Sequence, residues 1–117
     1  MDNKLEEALA FSNYRLTLNN QKKNLKTRMN TMMTIGYHGA MFTAKLELIN
    51  FVKQLLDLNA GQYVLLDDNE NPVLIKDLLD FHTKLLTQYT EAMNEYYTEY
   101  EKLKKLRDTK KLVGLDV

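Results

Sequence analysis

Few residues in this sequence are of the kinds that carry out chemistry. The only histidines are His38 and His82, the only serine is Ser12, and cysteine is absent. Neither histidine stands in an HExxH motif or at another paired-ligand spacing, and no GxSxG motif or glycine-rich phosphate loop occurs. His38 lies in a predicted turn, and His82 lies on the apolar side of a predicted helix. We therefore expect no enzymatic activity, no catalytic residue and no cofactor.

The stretch "DDNEN" at residues 67–71 places several carboxylates in a predicted turn. It superficially resembles a calcium-binding loop, which has a glycine at its sixth position and a closing glutamate at its twelfth. This stretch has neither, because Pro72 follows it and leucines stand where the closing glutamate would be. We therefore expect no metal ion at this turn.

The elements that would position these residues are predicted to be mainly α-helical, in a single domain over residues 1–117. The predicted order is helix 2–30, hairpin 32–43, helix 44–60, hairpin 62–75 and helix 76–110. Gly39 is predicted to supply a positive φ in the first hairpin, Thr43 to cap the middle helix, and Gly61 to end it. A helix kinked at its glycines is the alternative for residues 32–44. The first and last helices are of similar length, so we predict a long antiparallel helix pair beside a shorter middle helix.

The distribution of charge favours the antiparallel arrangement. The chain has 16 basic and 16 acidic residues, but the segment 8–46 contains no acidic residue, whereas the middle of the chain is acidic. Antiparallel packing places the acidic start of the chain near the basic residues 102–107. It also places the basic residues 22–28 near Asp77 and Asp80. Parallel packing would bring like charges together.

The last helix contains three tyrosines in the stretch "EAMNEYYTEYEKLKKLR". Tyr96 and Tyr100 fall on its apolar stripe and Tyr97 falls off it, which is typical of coiled-coil-like packing and not of a platform for bases. Part of the stripe is predicted to stay exposed in a monomer. We therefore expect a homodimer or higher oligomer, and the predicted oligomer or partner-binding face consists of Tyr89, Met93, Tyr96, Tyr100 and Leu103.

Nucleic-acid binding by the basic segment 15–28 is the alternative function. The residues predicted to contact nucleic acid are Arg15, Lys22, Lys23, Lys26 and Arg28. The lysines among them stand between asparagines and glutamines without interleaved aromatic residues, which is a poor match to a single-strand binding surface. The balanced net charge also provides little long-range attraction for nucleic acid. Protein–protein contact is therefore the favoured expectation.

The stretches "YVLLDDNENPVLIKDLLDF" and "AMNEYYTEYEKLKKLR" resemble segments of small, poorly characterised helical proteins of large tailed bacteriophages. In that group a tight hairpin precedes the middle helix, which "YHGAMFTAKLELINFV" matches here, so the likeness covers most of the chain. The resemblance implies a phage origin and a location in the cytoplasm of the infected bacterium or in the virion. It assigns no catalytic or ligand-binding residue.

The leading expectation is therefore a non-enzymatic assembly or adaptor protein. Its expected partners are further copies of itself and a phage structural protein or a host protein. No apolar run approaches the roughly 20 residues that cross a bilayer, so we expect no membrane partner.

Overall fold

The computed structural model describes residues 2–112, which form helices and two β-hairpins. The elements are α1 (Asp2–Met32), β1 (Thr34–Tyr37), β2 (Ala40–Thr43), α2 (Leu46–Asp57), β3 (Tyr63–Leu66), β4 (Pro72–Ile75) and α3 (Leu78–Leu112). Strand β1 pairs only with β2, and β3 pairs only with β4, in both cases antiparallel. The predicted fold class, mainly α-helical with two short hairpins, is confirmed.

These residues form two compact units, and both long helices contribute to each. The helical unit consists of residues 2–28 of α1 and residues 94–112 of α3. The hairpin unit consists of residues 29–93 and contains both hairpins, α2 and the adjoining turns of the long helices. Whether the chain is a single domain is not decided by this division and stays a prediction.

The core of the hairpin unit is built around Phe81 of α3. Its ring meets the rings of Tyr37 and Phe42 edge-on, with centroids 4.9 Å away in each case. The largest fully buried side chains of this unit are Phe42, Phe81, Ile75, Leu78, Leu85 and Val52. Burying one such side chain stabilises the fold by about 1.5–3 kcal/mol. This shared core therefore holds the first hairpin, α2, β4 and α3 together.

The first hairpin turns through His38 and Gly39, whose φ angles are 50° and 81°. Two positive φ angles between the paired residues Tyr37 and Ala40 define a type I′ turn, the turn that matches the twist of the two strands. The predicted positive φ of Gly39 and the predicted turn position of His38 are both confirmed. The alternative of a kinked helix over residues 32–44 is wrong.

The predicted ends of the middle helix are wrong at both positions. Thr43 does not cap α2, because its hydroxyl donates a hydrogen bond to Asp68 and the N-cap position is Lys45, which makes no side-chain cap hydrogen bond. At the other end the positive φ belongs to Asn59 (62°) and not to Gly61. Asparagine tolerates the left-handed region well enough to replace glycine there.

Helix α3 begins at Leu78, two residues later than predicted, because Asp77 caps it. The Oδ1 atom of Asp77 accepts a hydrogen bond from the N–H of Asp80 at 3.0 Å. A side chain that satisfies a free N–H of the first turn fixes where a helix starts. Asp77 had been predicted to lie inside the helix, and its role as the N-cap was not predicted.

In the helical unit, α1 and α3 pack against each other in antiparallel orientation. Arg28 forms an ion pair with Glu95. Leu18, which precedes Arg28 in α1, lies beside Leu103, which follows Glu95 in α3. The two helices therefore run in opposite directions. The α1 side chains at least partly buried in this unit are spaced by three, four or seven residues: Phe11, Tyr14, Leu18 and Leu25. Such spacing keeps one side of a helix on its partner.

The acidic neighbours predicted for Arg28 are wrong. Arg28 lies 3.5 Å from Glu95 and 3.9 Å from Glu99, not near Asp77 or Asp80. Asp80 instead pairs with Lys84, one turn later in the same helix, at 3.1 Å. The antiparallel direction was predicted correctly from charge, but the register was not, because exposed ion pairs contribute too little to set it.

Candidate functional site

The most chemically capable cluster joins the first hairpin to α3. The Tyr37 hydroxyl donates a hydrogen bond to Oδ2 of Asp80 at 3.0 Å, and the Lys84 ammonium lies 3.1 Å from the same oxygen. The Lys84 nitrogen also lies 5.1 Å from the centre of the Tyr37 ring, and His38 meets that ring edge-on at 4.3 Å.

The pKa shifts of Tyr37 and Asp80 both move these two groups away from acid–base chemistry near neutral pH. Burial, and then the hydrogen bond to Asp80, raise the pKa of Tyr37 to about 12. The Lys84 ammonium, and then the Tyr37 hydroxyl, hold the pKa of Asp80 below its ordinary value. A catalytic group needs a pKa close to the working pH. The cluster therefore acts as a clamp between the hairpin and the helix.

The acidic turn uses its carboxylates for its own structure. Oδ1 of Asp67 accepts the N–H groups of Asn69 and Asn71, both at 2.9 Å, which closes the turn. The Asp68 carboxylate accepts the Thr43 N–H at 3.0 Å and the Thr43 hydroxyl at 2.8 Å. The turn of the second hairpin is thus bound to strand β2 of the first. Among residues 3–106, whose side chains the structure describes, no group of three or more His, Asp or Glu is placed to hold a metal ion.

The two hairpins differ in the face that they turn away from the core. On β1–β2 the outer face consists of the pairs Gly36–Met41 and Thr34–Thr43, and the inner face is apolar. On β3–β4 the inner face carries the buried Leu65 and Ile75. The outer face of β3–β4, which we call the hairpin face, is apolar at every position and consists of Val64, Leu66, Pro72 and Leu74.

The hairpin face is open to solvent. Val64, Leu66 and Leu74 are 54%, 63% and 47% exposed. An antiparallel sheet with one solvated face normally has polar residues on that face. This surface was not predicted from the sequence, although a signal was present: "YVLL" and "PVLI" consist of hydrophobic residues throughout. Because side chains alternate between faces, such runs must have apolar residues on both.

The five residues of the predicted long-helix face are all partly buried. Tyr89 and Met93 belong to the hairpin unit and pack against its core. Tyr96, Tyr100 and Leu103 belong to the helical unit, where the two tyrosine rings are stacked with centroids 6.3 Å apart. Tyr97 is 66% exposed, which confirms that it lies off the apolar stripe. The role of the five residues as a binding face stays a prediction.

The five basic residues predicted to contact nucleic acid have different surroundings. Arg28 is engaged by Glu95 and Glu99. Arg15 lies over the ring of Phe11, with 5.9 Å between its guanidinium carbon and the ring centre. Lys22 lies over the ring of Tyr100 on the facing helix. Lys22 and Arg28 therefore both contact α3, Lys22 through an aromatic ring and Arg28 through two carboxylates.

No protein family, curated protein or solved structure compared with this chain matches it. In the described part of the chain, no helix is both long and apolar enough to cross a lipid bilayer.

Proposed function

We propose that this protein acts without catalysis, by assembling with further copies of itself through the hairpin face. One observation supports the proposal above all: Val64, Leu66 and Leu74 stay about half exposed or more on one face of β3–β4. Exposed apolar surface of this kind typically marks a site of contact with another protein. The phage origin and the further phage or host partner, which rest on the resemblance, are part of this proposal.

The composition of the hairpin face supports a second copy as its occupant. A twofold interface must be complementary to itself, because the same patch comes from both subunits. The hairpin face consists of Val64, Leu66, Pro72 and Leu74, and none of these side chains has a charge or a hydrogen-bonding group. Two such faces can meet without placing like charges together or leaving polar groups unpaired.

The test is the mass of the full-length protein in solution, measured by sedimentation and light scattering at concentrations up to about 1 mM. We expect concentration-dependent dimers. Leu66→Glu should weaken them strongly, because each of the two copies loses about 1 kcal/mol of apolar burial, which together is about 30-fold in the dissociation constant. The two introduced carboxylates would add repulsion.

Leu79→Glu is the matched control, since Leu79 is 65% exposed, belongs to the same unit and is not part of the hairpin face. We expect this variant to dimerise as the unaltered protein does. A monomeric mass for the unaltered protein over the whole concentration range would refute the proposal. Equal weakening by Leu66→Glu and Leu79→Glu would refute the assignment to the hairpin face.

A further inference from the structure

A second surface, independent of the hairpin face, lies in the helical unit. A groove of about 110 Å³ runs between α1 and α3 and is lined by Leu18, Asn19, Lys22, Tyr100, Leu103 and Lys104. Each helix contributes one ammonium group to it, and the described side chains that line it include no carboxylate. Two cations placed around an apolar floor attract a ligand that is both anionic and partly apolar.

The groove lies on one of two flanks of the helix pair that differ in charge. On the opposite flank, Arg28, Lys102 and Glu99 line a second groove. There the carboxylate of Glu99 lies 3.9 Å from Arg28 and 3.1 Å from Lys102, so positive charge is locally compensated. By contrast, no described carboxylate forms an ion pair with Lys22 or Lys104.

Aromatic side chains stand directly beside these lysines. The Lys22 ammonium lies 5.8 Å from the centre of the Tyr100 ring, and that ring is stacked on Tyr96 with an angle of 10° between their planes. Tyr97 precedes Tyr100 by three residues and Lys104 by seven, so helical spacing places it on the same flank. Its ring is 66% exposed. No aromatic residue stands among the α1 lysines Lys22, Lys23 and Lys26 in sequence, and the packing of α1 on α3 places Tyr100 beside Lys22.

We propose that this flank binds single-stranded nucleic acid. Lys22 and Lys104 contact backbone phosphates, the Leu18 and Leu103 side chains contact the sugars, and Tyr97 stacks on a base. Positive charge that follows a groove, combined with accessible aromatic rings, is the general means by which proteins bind single strands without sequence preference. An acidic protein segment fits the lysines but gains little from the exposed Tyr97 ring, so nucleic acid is the better match.

Adjacent lysines provide a control of equal charge. Lys23 follows Lys22, and Lys105 follows Lys104, but neither lines the groove. Successive residues of a helix point about 100° apart. The variant K22E/K104E therefore reverses the two groove charges, and K23E/K105E makes the same change in net charge outside the groove. All four lysines are exposed, so both variants are expected to fold, which circular dichroism checks.

The measurement is fluorescence anisotropy of a labelled oligothymidylate of about 20 nucleotides, titrated with full-length protein between about 50 and 200 mM salt. We expect K22E/K104E to weaken binding at least about tenfold at the lowest salt and to reduce the salt slope by about 1.4, or about 0.7 per lost phosphate contact. K23E/K105E should have a clearly smaller effect. Tyr97→Ala should weaken binding about fivefold or more and leave the salt slope unchanged.

Several outcomes would overturn the assignment. Absence of binding by the unaltered protein would do so, as would equal losses in the two double variants, which would indicate general attraction and no groove. Competition by polyglutamate as effective as competition by unlabelled oligothymidylate would favour an acidic protein partner instead. If a double variant fails to fold, K22Q/K104Q against K23Q/K105Q repeats the comparison. Leu66→Glu should keep full binding, which separates this inference from the hairpin-face proposal.

Discussion

Replacing Asp68 tests how much one side chain contributes to the attachment of the second hairpin to the first. The Asp68 carboxylate accepts two hydrogen bonds from Thr43, one from the N–H at 3.0 Å and one from the hydroxyl at 2.8 Å. The N–H of Asp68 separately donates to the carbonyl oxygen of Met41 at 2.8 Å, and that bond survives a change of side chain. Asp68→Ala therefore removes two of the three bonds between the turn and β2.

The expected loss follows from the number and exposure of these bonds. A hydrogen bond to a charged group contributes about 1.5–3 kcal/mol when it is shielded from water, and an ordinary one about 1 kcal/mol. Both bonds of Asp68 are exposed to solvent, so the lower figure applies. We expect Asp68→Ala to lower the free energy of unfolding by about 2 kcal/mol, and the melting temperature by about 8 °C.

Urea denaturation followed by circular dichroism measures the change. Glu70→Gln is the control, because it removes the same charge from the same turn and leaves a side chain of the same size at this position of positive φ (63°). We expect it to change the free energy of unfolding by less than about 0.5 kcal/mol. Thr43→Val removes the hydroxyl bond alone, and a double-mutant cycle with Asp68→Ala should give a coupling of about 1 kcal/mol. A loss for Asp68→Ala no larger than for Glu70→Gln would refute this account of how the hairpins are joined.

Two further predictions concern the core and the Tyr37 clamp. Phe81→Ala should lower the free energy of unfolding by about 3–5 kcal/mol, because a fully buried ring is removed. Phe51→Ala removes a ring that is 40% exposed and should lower it much less in the same urea experiment. Because folding raises the pKa of Tyr37 from 10.0 to about 12, its contribution to stability is complete below pH 10 and is lost as the pH rises through about 12. Phenolate absorbance should show a late titration step that Tyr37→Phe abolishes and Asp80→Asn moves to lower pH; a step unmoved by Asp80→Asn would contradict the hydrogen bond.

The local elements were predictable from the sequence because each is determined by neighbours along the chain. The run between Lys76 and Arg107 has apolar residues at helical spacing and no glycine or proline to end a helix, so it predicts one long helix. His38–Gly39 between two strands fits a tight turn with positive φ angles. The ends were less predictable, since the cap at Asp77 and the left-handed Asn59 compete with equally plausible neighbours. The predictions for Thr43 and Gly61 were wrong for that reason.

The surfaces were less predictable than the elements. Leu5, Leu9 and Leu16 are apolar residues on one side of α1, yet these side chains are 62%, 56% and 60% exposed. The residues that face α3 include Phe11 and Tyr14, on the other side of the helix. A helix with apolar residues on two sides does not reveal in its own sequence which side its partner will cover.

By itself, the sequence determined three helices, two hairpins and the antiparallel direction of the long helices, since these follow from local backbone preferences and from the distribution of charge. Only the tertiary structure decided that Asp68 joins the two hairpins, that Val64, Leu66 and Leu74 stay exposed, and that Lys22 lies beside Tyr100. Each of these depends on residues brought together from distant parts of the chain. Their pairing is fixed by how the helices and sheets pack, which spacing along one element does not encode.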